Sequence, residues 1–209
     1  MRREASPRWL KAHSAHQGGQ MDFFETVAGR HSVRTYRPEP VPNELILQCL
    51  EAARAAPSWR NGQCWRFIVV QDRTTIEKLA GQRVYGYPIN AWLKTAPVVI
   101  VACADPRDSG QHGDLPYWAV DTAIAMEHLV LAATALGLGT CWIGGFDEQS
   151  VRAVVAVPEP IRVVAYTPLG YGADSEGIRG RVTKLVARSH SRKPLAKLVF
   201  YDRWANAER

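Results

Sequence analysis

The chain has 209 residues, a length that suits one compact domain with a sizeable core. Its formal net charge of +6 at pH 7 permits an anionic ligand such as a nucleotide or a phosphate. The basic residues are scattered and form no helix-turn-helix, zinc-finger or RNA-binding signature, so we expect no nucleic-acid partner.

The cysteines and the apolar segments indicate the cellular compartment. The four cysteines show no C-x-x-C spacing and lie in apolar or mixed stretches, which predicts reduced, buried thiols rather than disulfides or metal ligands. No apolar run suits a transmembrane helix, and the basic N-terminal stretch has no apolar segment of a secretory signal. We therefore expect a cytoplasmic protein without a metal site or a membrane partner.

Residues 1–20 are basic, polar and aperiodic, which predicts a disordered N-terminal extension. Residues 21–209 would then form a single domain. At the start of this domain, Asp22 precedes Glu25 by three positions, a spacing that predicts a capping box on a short helix.

The segment from Arg30 to Pro42 concentrates arginines and prolines. Arg30, Ser32 and Arg34 alternate along it, so an extended backbone would point all three side chains to one side. Two guanidinium groups and a hydroxyl that converge in this way suit a phosphate. A solvated basic loop is the alternative interpretation.

A helix with one apolar face is predicted to begin at Asn43, its capping residue, and to end before Pro57. The loop from Pro57 to Trp65 contains hydrogen-bonding residues, among them Ser58 and Asn61, ahead of a predicted buried strand. Loops on a rigid scaffold often carry binding groups. An ordinary connection between a helix and a strand is the alternative.

Two elements and an irregular stretch are predicted next. A short helix is expected at residues 72–80, and the continuous apolar run at residues 96–102 predicts a buried central strand. The stretch between them, Gly81 to Leu93, is irregular and rich in aromatic residues. It predicts either a lid or a surface that packs against a partner.

Tyr117 to Leu136 is apolar on nearly every side of a helical wheel, which predicts a long central helix that is buried or shared with a second subunit. Gly137 suits the end of this helix because glycine tolerates positive φ. The β-prone run that follows ends at Gly144 and Gly145, whose bare backbone permits close approach of a flat or anionic group. A tight turn between a helix and a strand is the alternative.

The C-terminal part predicts two more elements and a second basic site. Asp147 is expected to cap a helix, residues 161–168 to form a strand and residues 169–173 to form a turn. Arg192 and Lys193 form a basic pair. These elements together predict an α+β fold with a mixed sheet between helices. The sequence has no G-x-G-x-x-G fingerprint, phosphate-binding loop or nucleophile elbow.

Five segments occur together in one order: RHSVRTYRPEPVP, AARAAPSWRNGQCWRFIVV, APVVIVACAD, GLGTCWIGGF and SRKPL. In that order they resemble the FMN-dependent nitroreductase family, from about Asp22 to Trp204. The resemblance implies a nitroreductase-like α+β fold with FMN at the interface of a domain-exchanged homodimer. It also implies NADH or NADPH as reductant, and nitroaromatics, quinones or similar molecules as acceptors in a ping-pong hydride mechanism.

The resemblance further implies which residues bind the cofactor. Arg30 and Ser32, next to His31, would hold the FMN phosphate. Arg34 would lie near N1 and O2 of the ring, where a cation stabilises the anionic reduced flavin. The other residues implied are Pro57, Ser58 and Asn61 from the second subunit, the backbone of Ile143, Gly144 and Gly145 near N5, and Arg192 and Lys193 at the phosphate.

Three positions depart from the family pattern. Cys64 replaces a proline that often follows the glutamine of the family's N-x-Q-P-W segment. Trp59 and Arg60 take positions that are frequently small or polar in the family, and we expect them to shape the substrate face.

Hydride transfer by a flavin requires no side-chain acid or base, so no catalytic residue is assigned. Other interpretations remain open. They are a flavoenzyme of the same fold that performs dehalogenation or flavin fragmentation, a non-enzymatic flavin-binding protein, and a protein without flavin whose basic residues are solvated surface.

Overall fold

The computed structural model describes residues 22–84, 86–173 and 192–204. The predicted N-terminal extension lies outside these residues, and the assignment of residues 21–209 to a single domain remains a prediction. The α-helices described are α1 (Phe23–Gly29), α2 (Asn43–Arg54), α3 (Arg73–Ala80), α4 (Tyr117–Ala135) and α5 (Glu148–Val155). The strands are β1 (Trp65–Val70), β2 (Val98–Ala104), β3 (Gln111–His112), β4 (Leu115–Pro116), β5 (Gly139–Thr140) and β6 (Arg162–Gly170).

The main sheet is antiparallel, with the strand order β1-β2-β6-β5. The prediction of a mixed sheet is therefore wrong for these strands. The connection from β1 to β2 contains α3 and returns the chain to the end of β1, where Val70 pairs with Val99 near the start of β2. For a parallel pair, the connection would have to bring the chain back to the start of β1. Among the described residues, the one parallel pairing is the isolated bridge between Ser32 and Thr140.

Helices cover both faces of this sheet, as the sequence predicts. Val98 and Ile100 of β2 belong to a core cluster with α2 and α4. Val99 and Val101 point the other way, into a cluster with α3 and α5. Every residue of β2 is buried, which explains why this strand has a continuous apolar sequence rather than an alternating one.

Helix α4 has 19 residues and contacts α2, β2 and β6. Ala125, Leu129 and Ala133 recur at helical spacing and are fully buried in the cluster with α2. Gly137 follows the helix with a φ of +75°, so its predicted role at the helix end is confirmed.

The side of α4 that faces α1 and α2 forms an apolar groove of about 880 Å³. Phe23 lies at this groove and is 62% exposed, and Phe24 beside it is 44% exposed. The other lining residues are Thr26, Ala52, Ala55, Ile124, Glu127, His128, Leu131, Ala132, Ala135 and Leu136. Contiguous apolar surface of this kind commonly marks an interaction site.

Several local predictions are tested directly. Asp22 and Glu25 form the predicted capping box, and all four cysteines are free and buried. The prediction for Asn43 is wrong by one residue, because Pro42 holds the capping position and its carbonyl accepts from the N–H groups of Leu45 and Ile46. Leu169 is part of β6 rather than a turn, since it pairs with Thr140 and Val98. No helix in the described ranges is long and apolar enough to cross a membrane.

Candidate functional site

The segment that contains Arg30, Ser32 and Arg34 lies beside the end of α4. Ser32 forms a parallel bridge with Thr140, and the Val33 N–H donates to the Thr140 carbonyl at 2.8 Å. These contacts hold the segment extended next to the chain that leads to Gly144 and Gly145. Two regions that are more than 100 positions apart in the sequence therefore meet at one edge of the sheet.

Arg30, Ser32 and Arg34 all act on the thiol of Cys141. Burial raises the pKa of this thiol, whereas the Arg34 charge, the Ser32 hydroxyl and the Arg30 charge act in the opposite direction. The Ser32 hydroxyl and the Arg34 guanidinium act on this sulfur atom as hydrogen-bonding groups, and Arg30 acts on it through its charge. That all three side chains lie on one side of the extended segment remains a prediction.

Arg34 is the most informative member of this cluster. The residue is only 9% exposed, and its Nη1 is buried without a hydrogen-bond partner among the residues that the structure describes. A buried guanidinium N–H without an acceptor is costly and uncommon in native proteins. The arrangement therefore fits a site for a ligand that supplies an acceptor atom.

Tyr36 closes the cluster behind Arg34. Its hydroxyl donates to the Val33 carbonyl at 2.7 Å. Burial raises the pKa of Tyr36 well above its ordinary value, the nearby Cys141 raises it further and the Arg34 charge lowers it. Tyr36 is therefore a neutral hydroxyl at physiological pH, and its hydroxyl proton is already used.

His31 lies on the exposed side of this segment. Its ring is exposed, and its Nδ1 lies 2.9 Å from the Gly29 carbonyl. Together with Arg34 and Gly139, it lines a pocket of about 360 Å³. His31 and Arg34 therefore border one pocket, and the role of His31 as a cofactor ligand remains a prediction.

The loop from Pro57 to Gln63 contains side-chain donors that its internal hydrogen bonds do not use. Ser58 Oγ accepts from the Gln63 N–H at 3.0 Å, and Asn61 Oδ1 accepts from Gln63 Nε2 at 3.2 Å. The Ser58 hydroxyl proton and the Asn61 amide N–H groups are therefore left for a ligand. Arg60, Asn61 and Gln63 have φ values of +49°, +58° and +48°, a left-handed conformation that is costly for residues other than glycine.

The backbone at Gly144 and Gly145 is exposed, as the two glycines predict. Ile143 just before them is buried and exchanges backbone hydrogen bonds with Tyr166 at 2.9 and 3.2 Å. Asn90 Nδ2 donates to the Gly145 carbonyl at 3.0 Å and to the Tyr166 hydroxyl at 3.3 Å. One end of the exposed turn is thus anchored to the sheet, and the other is anchored to Gly81–Leu93, the stretch that the sequence predicts as either a lid or a surface for a partner.

Sequence reasoning missed Asn90 and Asp121 as organising residues. Nothing near Asn90 in the sequence indicates its role. Asp121 carried a signal, because it is an acidic residue inside the apolar run of α4, and such a residue is rarely buried without hydrogen-bonding partners. Arg192 and Lys193 are exposed at the start of the 192–204 stretch, and their role at a phosphate remains a prediction.

Comparison with known proteins identifies the family. The model of the nitroreductase family matches residues 27–171. The chain belongs to the nitroreductase family. Dependence on FMN is a general property of this family, and its members are oxidoreductases. The match spans the Arg34 cluster, the Ser58–Asn61 loop and the Gly144–Gly145 turn.

Individual relatives agree with this assignment to the nitroreductase family. A protein of Methanothermobacter thermautotrophicus, provisionally named NADH dehydrogenase/NAD(P)H nitroreductase, is 35% identical over 181 residues, which cover 82% of this chain and 91% of the relative. The FMN reductase [NAD(P)H] of Bacillus subtilis is 30% identical, over 77% of this chain and 70% of the relative. The crystal structure of a nitroreductase family protein from Clostridium novyi NT superimposes with a TM-score of 0.70 at 35% identity, over 74% of this chain and 87% of that one.

Proposed function

We propose that this nitroreductase-family enzyme binds FMN and uses NADH or NADPH to reduce nitroaromatics, quinones or similar acceptors. The observation that supports this best is Arg34, whose buried Nη1 has no acceptor within the described part of the chain. Arg30 and Ser32 act on the same thiol as Arg34, so the cluster offers two cations and a hydroxyl to an anionic, acceptor-rich ligand. FMN has both a phosphate and a ring edge with acceptor atoms.

The residues of the cluster divide the binding between them. FMN, when bound, supplies the hydride chemistry. Arg30 and Ser32 hold its phosphate through charge-assisted hydrogen bonds, in which Arg192 and Lys193 take part. Arg34 provides a positive charge at the ring edge, which favours the anionic reduced form. No proton has to move through a side chain, and the raised pKa values of Cys141 and Tyr36 keep both groups neutral.

The rest of the site orients the ring and excludes water. The exposed backbone of Gly144 and Gly145, next to the fixed Ile143, permits close approach of a flat ring. Ser58 and Asn61 offer donors from a rigid loop, and Pro57 stiffens the entry to that loop. Positioning of this kind can supply a large part of the rate enhancement, since the reacting groups are already aligned.

The cofactor site is completed by a second copy of the chain. The apolar groove along α4, about 880 Å³ in volume, and the exposed Phe23 and Phe24 are the surface that the second copy would cover. Our proposal is a domain-exchanged homodimer in which Ser58 and Asn61 of one subunit reach the flavin held by Arg34 of the other. Light scattering checks this arrangement, because a flavin-loaded protein that remains monomeric is incompatible with it.

The visible absorption spectrum of the purified protein tests the proposed function. We expect a yellow protein that releases FMN on heating, about one per chain, and that oxidises NADH or NADPH when a nitroaromatic or a quinone is present. Ser32→Ala should weaken FMN binding, whereas Ser150→Ala, on α5 outside the cluster, is the matched control. A colourless wild-type protein that does not take up added FMN would refute the proposal.

A further inference from the structure

Asp121 links the central helix to two loops through a buried carboxylate. The residue is 2% exposed and lies in the first part of α4. Its Oδ1 accepts from the Trp59 N–H at 3.0 Å, and its Oδ2 accepts from the Ser109 hydroxyl at 2.7 Å. The thiol of Cys64, at 3.9 Å, also points at Oδ2. One side chain thus joins the loop before β1 to the turn after β2.

The loop that Asp121 holds would not keep its shape unaided. Arg60, Asn61 and Gln63 all have positive φ, and such backbone persists only where the surroundings over-determine it. The Trp59 N–H, from which the Asp121 carboxylate accepts a hydrogen bond, lies immediately before Arg60, the first of these residues. The carboxylate therefore holds the backbone at the start of this strained stretch.

Close packing fixes the loop on its other side. A Cβ on Gly62 would lie 1.9 Å from the Asp108 carbonyl oxygen, so the backbone of the loop rests directly on the turn that carries Ser109. The Trp59 ring packs against Tyr117, with ring centroids 4.5 Å apart. These contacts limit the loop to one position, provided that Asp121 holds the two segments together.

The loop position decides where its donors point. Ser58 precedes the anchored Trp59 N–H by one residue, and Asn61 follows it by two. Gln63 donates to the side-chain oxygen of both residues, so the Ser58 hydroxyl proton and the Asn61 amide N–H groups are left as donors for a ligand. A shift at Trp59 would therefore displace both donors together.

We propose that Asp121 is a positioning residue for cofactor binding, which aims Ser58 and Asn61 at the flavin through its hydrogen bond to the Trp59 N–H. The inference rests on the proposed function. Asp121 itself does not contact the ligand, since it is buried beneath the loop. Its contribution is preorganisation, so that the loop does not have to be ordered when FMN binds.

Two substitutions at this position separate shape from hydrogen bonding. Asp121→Leu removes both acceptors and should raise the Kd for FMN by about 10-fold or more, as for loss of a hydrogen bond to a charged group. Asp121→Asn keeps one oxygen for the Trp59 N–H and offers its NH₂ to the Ser109 oxygen, so its Kd should stay within about 3-fold of wild type. The assay is titration of the full-length apoprotein with FMN, followed by the quenching of flavin fluorescence.

A double-mutant cycle distinguishes positioning from a general loss of stability. In a Ser58→Ala/Asn61→Ala background the two donors are absent, so Asp121→Leu should change the Kd by less than about 2-fold. Asp147→Leu, which removes the capping carboxylate of α5, is the control: it should lower the melting temperature without changing the Kd. If Asp121→Leu raises the Kd for FMN by the same factor in wild type and in the Ser58→Ala/Asn61→Ala background, the positioning role is overturned.

Two outcomes keep this inference separate from the proposed function. If wild type binds FMN tightly and Asp121→Leu binds it equally well, only the role of Asp121 is overturned. If wild type does not bind FMN, the role of Asp121 and the proposed function are both overturned. Should Asp121→Leu fail to fold, hydrogen exchange of the Trp59 amide in wild-type protein without FMN decides instead. Protection comparable to that of amides within α4 supports the anchor, and exchange as fast as at the exposed Gly113 overturns it.

Discussion

Substitution of Arg34 by methionine should separate the stability of the empty protein from its affinity for FMN. Methionine retains most of the length and apolar volume of the side chain but removes the guanidinium, whose Nη1 is buried without an acceptor in the described residues. An unsatisfied buried donor costs about 1–3 kcal/mol. Its removal should therefore leave the free energy of unfolding of the apoprotein unchanged or raise it by about 1 kcal/mol.

The same substitution should weaken FMN binding. A hydrogen bond from a charged donor contributes about 1.5–3 kcal/mol, so the Kd should rise roughly 10- to 150-fold. Chemical denaturation of the apoprotein measures the first quantity, and FMN titration measures the second. Arg37→Met is the matched control, because Arg37 lies in the same segment but is exposed and paired with Glu39 at 3.5 Å. Loss of apoprotein stability with an unchanged Kd would refute the reasoning and make Arg34 a structural residue.

Other predictions concern reactivity, packing and pH. Burial raises the pKa of Cys103 to about 11, so iodoacetamide at pH 8 should label this thiol only after the protein is unfolded. Mass spectrometry detects the label, and labelling of the native protein would contradict the burial of Cys103. Gly110→Ala would place a Cβ 2.4 Å from Trp59 Nε1, so the free energy of unfolding should fall by about 1–3 kcal/mol. Thermal denaturation measures this change, and an unchanged melting temperature would mean that the Trp59 ring can move. The Arg162 guanidinium lowers the pKa of Glu148 below its ordinary value of 4.5, so this pair contributes stability above that pH and loses it as the pH falls. Melting temperatures measured from pH 7 down to pH 3 should therefore fall more steeply for wild type than for Glu148→Gln, and parallel curves would exclude a role for the pair.

Local signals in the sequence predict the elements that depend on neighbouring residues. Asp147 caps α5 and accepts from the Ser150 N–H at 2.8 Å, and Gly137 ends α4 with positive φ. Both follow from hydrogen-bonding groups and backbone freedom within a few positions of the helix end. The alternation of Arg30, Ser32 and Arg34 is also local, so the sequence alone predicts that their side chains share one side.

Contacts between distant segments decide the rest. The sequence does not show that the strands are antiparallel, that Leu169 extends β6 through its pairing with Thr140, or that Cys141 lies beneath Arg34. It shows Asp121 as an acidic residue in an apolar helix but not that its partners are the Trp59 N–H and the Ser109 hydroxyl, 62 and 12 positions away. The sequence by itself determined the start of α5, the end of α4, the buried central strand and the chemical groups of the candidate site. Only the tertiary structure decided which groups meet and which way their donors point, because a hydrogen bond between distant segments depends on the packed positions of both.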